Sequence, residues 1–307
     1  MTNRTALFSR TQPGGVFTVQ DLLDHPGDIW FVDSGHASAS DAAGFGKNPD
    51  SPFATLDYAV GQCTASNGDT IYVMPGHAEA LGADSAVDVD VIGLKIVGLG
   101  YGATRPTFTA TAAAGDFKLA AASTWIENLL FLSGVDATTG MLEVSASDCT
   151  VKNCEFRDSV DQATDCLITT ANSRLLIDGC KFNMAAAAGG NSAIALVACT
   201  DVEIRNCTIY GNFAVGAIDL RTTLSSRINI HDVTIWNENA SVIGIIDTVT
   251  TSTGWIGPNI TIKLLTDAAN ITAAVTGATF QMVDPVYVVN AVAEKAMLST
   301  WTASTNA

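Results

Sequence analysis

The sequence has little charge, and most of that charge is negative. Only 15% of the 307 residues are Asp, Glu, Lys or Arg, and 31 acidic residues against 15 basic ones leave a formal net charge of −16. Such a balance repels phosphate backbones and anionic lipid, which argues against binding of nucleic acid or of a membrane surface. An acidic exterior instead keeps a crowded or oligomeric surface soluble, or binds cations or basic partners.

Long apolar runs are also missing. The N-terminal stretch MTNRTALFSRTQPGG lacks the apolar centre of a secretory signal, and no uncharged run approaches the length that spans a membrane. We therefore expect a soluble protein that is made in the cytosol and leaves it, if at all, by cell lysis.

Paired cysteine motifs are absent as well. The seven cysteines are an odd number, with no CxxC pair and no closely placed histidine that would complete a zinc site. Buried free thiols that pack as small apolar groups fit this pattern better than a disulfide framework.

The sequence does contain a repeat, marked by a phase slip in the alternation of apolar residues. In VKNCEFRDS, two residues separate Val151 from Cys154 but only one separates Cys154 from Phe156. The same slip recurs in WIENLLFLS from Trp125, LIDGCKFNM from Leu176, EIRNCTIYG from Glu203 and NIHDVTIWN from Asn229. Successive copies lie 25 to 27 residues apart, a period typical of a solenoid.

Alignment of the five copies predicts a direction for each side chain. Asn, Asp and Gly best tolerate a left-handed backbone, which lets a strand turn sharply and restart with its inward side reset. The first inward residues are Ile126, Val151, Ile177, Ile204 and Ile230; the corner residues are Asn128, Asn153, Gly179, Asn206 and Asp232; the inward pairs are Leu129/Phe131, Cys154/Phe156, Cys180/Phe182, Cys207/Ile209 and Val233/Ile235.

The residue types favour strands, because β-branched and aromatic residues alternate with polar ones over short runs. Another apolar strand recurs as GMLEV from Gly140, CLITT from Cys166, SAIAL from Ser192, GAIDL from Gly216 and GIIDT from Gly244. With a third short strand, each turn of about 26 residues builds an all-β, single-stranded parallel β-helix. Cys154, Cys180 and Cys207 should then stack about 4.8 Å apart as an internal column.

The predicted stack covers residues 29–285. DTIYVMPG from Asp69 and GLKIVGLG from Gly93 indicate earlier turns, and PNITIKLL from Pro258 a later one. Because a β-helix has two open ends, the apolar residues of SPFATLDYAVGQC, at helical spacing after a Ser-Pro start, predict a capping helix near residues 51–63. Residues 1–28 predict an extended N-terminal attachment arm, and residues 286–307 a C-terminal cap or subunit contact.

With these features the chain resembles the right-handed parallel β-helix, or pectin-lyase-like, superfamily. The order of IWFVDSG, a Gly/Asn/Asp-rich loop, SPFATLDYAVGQC and NGDTIYVMPGHAEA is similar to the start of such proteins. The corner residues Asn128, Asn153 and Asn206 resemble the asparagine ladders of that superfamily. The resemblance implies a fold but no single function, since this fold hosts lyases, hydrolases, adhesins and virion parts alike.

A polysaccharide-cleaving β-helix would carry catalytic carboxylates on outward positions of adjacent turns. Asp219 and Asp247 occupy equivalent places in GAIDL and GIIDT, with Arg221 beside Asp219, and are the catalytic candidates of this alternative. The Arg-rich signature of pectate lyases and the Asp-Asp and Gly-His-Gly motifs of polygalacturonase-like hydrolases are not visible, so we predict no catalysis. The rest of the predicted outward column is Glu143, Thr169 and Ala195.

Histidines offer two further sites, and neither is favoured. His231 falls on an outward position whose column mixes charges, as is typical of a surface: Lys152, Asp178 and Arg205. His36 and His77, close to Asp33 and Glu79, would bind a metal only if two loops converged. We predict no metal and no cofactor.

The lack of a secretion signal, the arm and the apolar-cored rod resemble bacteriophage structural proteins of this fold, which leave the host by lysis. The resemblance implies a homotrimer in the virion. The predicted length suits a knob on a shell, so we predict a capsid decoration (cement) protein that binds the major capsid protein. The alternative is a tail spike or fibre protein that binds or depolymerises host surface polysaccharide.

Overall fold

The computed structural model describes residues 11–12, 15–16, 27–136, 138–158, 163–184, 190–239, 243–264, 275–276, 279–283, 286–290 and 296–298. Almost all of its regular structure is short β-strand, as the residue types predict. The strands are β1 Thr11–Gln12, β2 Gly15–Val16, β3 Ile29–Val32, β4 Thr70–Val73, β5 Ala78–Leu81, β6 Val87–Val89, β7 Lys95–Gly98, β8 Thr107–Ala110, β9 Phe117–Leu119, β10 Trp125–Glu127, β11 Leu130–Ser133, β12 Leu142–Val144, β13 Thr150–Lys152, β14 Glu155–Asp158, β15 Asp165–Thr169, β16 Leu176–Asp178, β17 Lys181–Asn183, β18 Ser192–Leu196, β19 Glu203–Arg205, β20 Thr208–Gly211, β21 Ile218–Leu220, β22 Ile228–His231, β23 Val233–Asn237, β24 Ile245–Asp247, β25 Gly254–Ile256, β26 Ile260–Leu264, β27 Val275–Thr276, β28 Phe280–Met282, β29 Tyr287–Asn290 and β30 Ala296–Leu298.

Three long sheets run along the stack. Sheet 1 has ten strands in the order β3, β4, β7, β10, β13, β16, β19, β22, β25, β28. Sheet 2 has ten, β5, β8, β11, β14, β17, β20, β23, β26, β29, β30, and sheet 3 has eight, β6, β9, β12, β15, β18, β21, β24, β27. From β4 onward the chain visits sheets 1, 2 and 3 in that order, and within the three sheets neighbouring strands are parallel except β29 and β30. The predicted parallel β-helix with three strands per turn is confirmed.

The corner between sheets 1 and 2 has the predicted backbone. Asn128, Asn153, Gly179, Asn206 and Asp232 have φ of 60°, 52°, 69°, 55° and 53°, all in the left-handed region. The register also agrees with the alignment, since Ile126 lies opposite Val151 and Val151 opposite Ile177. One left-handed residue at this corner of each turn therefore explains the phase slip seen in the sequence.

The interior is built from columns of equivalent residues. Phe131, Phe156 and Phe182 stack with ring centroids 5.0 and 4.6 Å apart. Cys154, Cys180 and Cys207 are buried as free thiols. Burial, and then the neighbouring thiols, raise the pKa of Cys180 well above its usual value, which keeps this thiol protonated.

The corner asparagines share a conformation but not a hydrogen-bonded ladder. Asn128 Nδ2 donates to the carbonyl oxygens of Gly98 and Gly100, at 2.7 and 3.0 Å. Asn153 Nδ2 donates to Glu127 Oε1 at 3.2 Å, and Asn206 Nδ2 to Asp178 Oδ1 at 2.8 Å. The amides thus bind backbone or carboxylate oxygens of the preceding turn.

A short helix, α1 (Leu56–Val60), covers the first turns, and a 3-10 turn lies at Gly102–Thr104. Leu56, Ala59 and Val60 are buried, and α1 packs against β3, β4 and β6. The helix does not begin directly after Ser51-Pro52, because Ser51 and Phe53 first form bridges with Asn48 and Val32.

The two ends extend beyond the regular turns. Near the N-terminus, β1 and β2 form an antiparallel pair, and most other residues of the predicted arm lie outside the described residues. Parallel stacking continues past residue 285, since β29 pairs with β26, and β30 then folds back against β29.

Candidate functional site

The two candidate carboxylates, Asp219 and Asp247, do not share an outward column. Asp219 lies opposite Ile246, and Asp247 lies opposite Leu220. The predicted alignment paired Gly216 with Gly244. In the structure the inward residues Ile218 and Ile245 pair instead, so the observed register differs from the predicted one by one residue. Because successive side chains in a strand point to opposite faces, this shift turns Asp247 inward.

The rest of the predicted column needs the same correction. Glu143 lies opposite Ile168, whereas Thr169 lies opposite Val144. Ala195 does lie opposite Asp219. The column that contains Asp219 therefore holds two further carboxylates, that of Glu143 three strands away and that of Asp88 five strands away.

Asp247 is bonded to its own loop. Its side chain is 3% exposed, and Oδ2 accepts a hydrogen bond from the Ser252 N–H at 2.9 Å. Oδ1 accepts from the Ser252 hydroxyl at 3.0 Å and from the Val249 N–H at 3.2 Å. Both oxygens hold the turn that follows β24, so this carboxylate has a structural use.

Asp219 belongs to a buried cluster with Arg221 and Asp165. Arg221 Nη1 donates to Asp219 Oδ2 at 3.4 Å, and Arg221 Nη2 donates to Asp165 Oδ2. Asp219 is 0% exposed and Asp165 is 1% exposed. Sequence reasoning missed Asp165, which directly precedes CLITT; only the register of three successive strands brings it near Arg221.

The cluster makes its carboxyl groups weaker acids than usual, with raised pKa values. Burial raises the pKa of Asp219 to about 6, against the opposing charge of Arg221, and burial also raises the pKa of Asp165. One guanidinium faces two carboxylates, and Asp165 Oδ1, Asp219 Oδ1 and Ser192 Oγ are buried without a hydrogen-bond partner. A carboxyl group with such a pKa has the acidity of a general acid, but it is sealed from solvent.

Partly exposed charges on sheet 1 form a network between turns. Lys152, Asp178, Arg205 and His231 lie in one column, as predicted. Arg205 bonds to Asp178 at 3.1 Å. Burial lowers the pKa of His231, but hydrogen bonds to Asp232 and Glu203 outweigh it and raise the pKa overall. This histidine is engaged as an ion-pair partner.

Two further pairs, the Arg–Asp clasps, join successive turns at the corner between sheets 3 and 1. Arg174 Nε and Nη2 donate to the two carboxylate oxygens of Asp148 at 2.5 and 2.6 Å. Arg227 bonds to Asp201 in the same way, at 2.5 and 2.7 Å. In both clasps the guanidinium lowers the pKa of the aspartate.

The loops of His36 and His77 do meet, but their histidines have other partners. His77 is buried, with Nδ1 accepting from the Ser34 N–H at 3.0 Å and Nε2 lying 3.1 Å from Glu79 Oε2. His36 Nδ1 accepts from the Ser38 N–H. Across the described residues, no group of three or more His, Cys, Asp or Glu side chains is placed to hold a metal ion.

One family comparison agrees with the fold. Residues 120–256 match the family model described as "Right handed beta helix region". No curated protein matches the chain. A solved structure titled "Rhamnogalacturonan lyase" superposes with a TM-score of 0.47 at 12% identity, covering 77% of this chain and 72% of that chain. The family match covers somewhat less than half of the chain, and it lies within the parallel β-helix that the structure shows.

No helix in the described ranges has the length and hydrophobicity needed to cross a membrane.

Proposed function

We propose that this right-handed parallel β-helix is a non-catalytic structural protein of a bacteriophage virion. More specifically, it is a homotrimeric capsid decoration protein that binds the major capsid protein and stabilises the shell. The observation that carries the proposal is the use made of Asp219 and Asp247. Both carboxylates are buried and bonded to groups of the stack itself, where a substrate cannot reach them.

The dimensions and the surface support this function. The ten strands of sheet 1, at about 4.8 Å each, make a rod about 43 Å long, which suits a projection on a shell better than a long spike. The Arg–Asp clasps and the Arg205–Asp178 pair add partly exposed links between some successive turns, while stacked apolar columns such as Phe131, Phe156 and Phe182 stabilise the stack itself. A continuous apolar core of this kind favours a rigid and durable particle component.

Deletion of residues 1–26 tests the attachment role of the arm. Gly27 and Asp28 are kept because the Asp28 N–H donates to Asp69 Oδ1 at 2.7 Å and helps to close the first turn. We expect the truncated protein to retain its β-sheet circular dichroism and to lose association with particles. Undiminished decoration of particles by the truncated protein would show that the arm does not attach it.

The second candidate is a tail spike or fibre protein that binds or depolymerises host polysaccharide. Asp219 favours it, because a carboxyl group with a pKa of about 6 beside an arginine has the acidity of a catalytic acid. The test is incubation with host capsule or lipopolysaccharide, followed by chromatography of released oligosaccharides. Release that Asp219→Asn abolishes, in a variant at least as stable as the parent, would refute the structural proposal.

A further inference from the structure

A cleft of about 480 Å³ lies at the corner where sheets 1 and 2 meet, away from the Asp219 cluster. Arg105, Lys181, Glu127, Asn128 and Asn153 line it. Gly179 keeps it open, because a Cβ at this position would lie 2.5 Å from Asn153 Oδ1. This corner cleft is polar, and its groups come from four successive turns.

The carboxylates at the corner cleft already have partners. Glu155 bonds to Arg157 Nε at 2.6 Å and to Arg105 Nη1 at 2.8 Å. Glu127 accepts from Asn153 Nδ2 at 3.2 Å and from Trp125 Nε1 at 3.1 Å. Each of the four carboxylate oxygens therefore accepts a hydrogen bond from the protein.

Cations are in surplus in and beside the corner cleft, because Arg105 and Lys181 line it and Lys95 and Lys152 lie beside it, over Trp125. Within the described residues, no carboxylate lies within 4.0 Å of the ammonium groups of Lys95, Lys152 or Lys181. Arg105 Nε is buried without a hydrogen-bond partner. In a chain of net charge −16, this local surplus of donors selects an anion.

The surroundings of Trp125 argue against a sugar ring as that anion. The ammonium groups of Lys95 and Lys152 lie over this ring, 5.5 and 5.3 Å from its centroid. The ring is thus occupied by cations and offers no free platform for stacking. Along the stack, Arg105 and Lys181 are three strand spacings apart, or about 14 Å, which is the length of about four extended residues.

We propose that the corner cleft binds an acidic peptide segment of a partner protein, extended along the stack, with Arg105, Lys152 and Lys181 binding its carboxylates. The strongly acidic remainder of the surface repels such a segment, which confines it to this cleft and fixes its register.

The test is binding of a fluorescently labelled hexaglutamate peptide to the full chain at low ionic strength, measured by anisotropy. The double variant Lys152→Gln/Lys181→Gln removes one lysine that lines the cleft and one that lies beside it, over Trp125. Its matched control, Lys118→Gln/Lys263→Gln, removes two lysines that lie elsewhere, beside Glu143 and over Trp236. We expect the cleft variant to bind about tenfold more weakly, as the loss of two exposed ion pairs predicts, and the control to bind as the parent does.

Melting temperatures of both variants verify the fold, and added NaCl should weaken binding by the parent protein. Three results overturn the proposal. They are absence of hexaglutamate binding, equal weakening in the cleft and control variants, and tighter binding of trigalacturonate than of hexaglutamate. The last result would assign the cleft to an acidic glycan instead.

Discussion

The Asp165–Asp219–Arg221 cluster and the Arg–Asp clasps use the same chemical groups in opposite settings. In the clasps, each guanidinium meets a single carboxylate in water, with side-chain exposures of 57% for Arg174 and 41% for Asp148. In the cluster, one guanidinium serves two buried carboxylates, with exposures of 1% for Asp165 and 0% for Asp219. Burial therefore decides how strongly the loss of one partner destabilises the protein. A buried charge left without its partner carries a large desolvation cost, whereas an exposed ion pair contributes little because water and salt screen it.

The largest effect is expected from Arg221→Gln. This change leaves two carboxylates buried without their cation, which should destabilise the protein by about 3 to 5 kcal/mol at pH 7.5. The measurement is thermal or urea unfolding followed by circular dichroism. A loss no greater than that of the clasp variant Arg174→Gln would show that the cluster is hydrated and not truly buried.

A smaller and pH-dependent effect is expected from Asp219→Asn. A folded-state pKa raised to about 6 contributes stability that is present below the unfolded pKa, near 4, and lost as the pH rises through 6. This pKa shift corresponds to a loss of about 3 kcal/mol in the free energy of unfolding as the pH rises from about 4 to about 7. Asparagine cannot ionise, so the variant should gain stability relative to the parent between pH 4 and pH 7.

Melting curves of parent and variant at several pH values measure this difference. Their comparison removes the contribution of the clasp aspartates, whose lowered pKa values act in the opposite direction. A difference that stays constant from pH 4 to pH 7 would contradict the assigned burial of Asp219.

The smallest effect is expected from Arg174→Gln and Arg227→Gln. Each clasp is exposed to solvent, so its attraction is screened and offset by ordering of two side chains. We expect melting temperatures within experimental error of the parent protein, in low and in high salt. A clear salt-dependent loss in either variant would show that the clasps hold the turns together.

The sequence predicted the regular corner better than it predicted the cluster. Asn153 tolerates a left-handed backbone and has inward apolar residues on both sides. Its place at a corner can therefore be predicted from the neighbouring sequence alone. Asp247 could not be placed in this way, since Gly216 and Gly244 precede their strands at different distances and the inward isoleucines fix the register. Asp165 was missed because its partner, Arg221, belongs to a turn two strands further along.

The corner cleft was also beyond sequence reasoning, although every corner residue that lines it was placed correctly. Its charge surplus depends on which carboxylates are already bonded, as Glu155 is to Arg105 and Arg157. Which carboxylate pairs with which cation depends on side-chain geometry. The sequence repeat predicts the column in which a charged residue lies but not its ion-pair partner.

The copy number of the protein in purified virions tests the central proposal most directly. Quantitative mass spectrometry against the major capsid protein gives this number. A shell protein repeated by the capsid symmetry predicts on the order of hundreds of copies per particle. A handful of copies would place the protein in the tail, and its absence from the virion would contradict a structural role altogether.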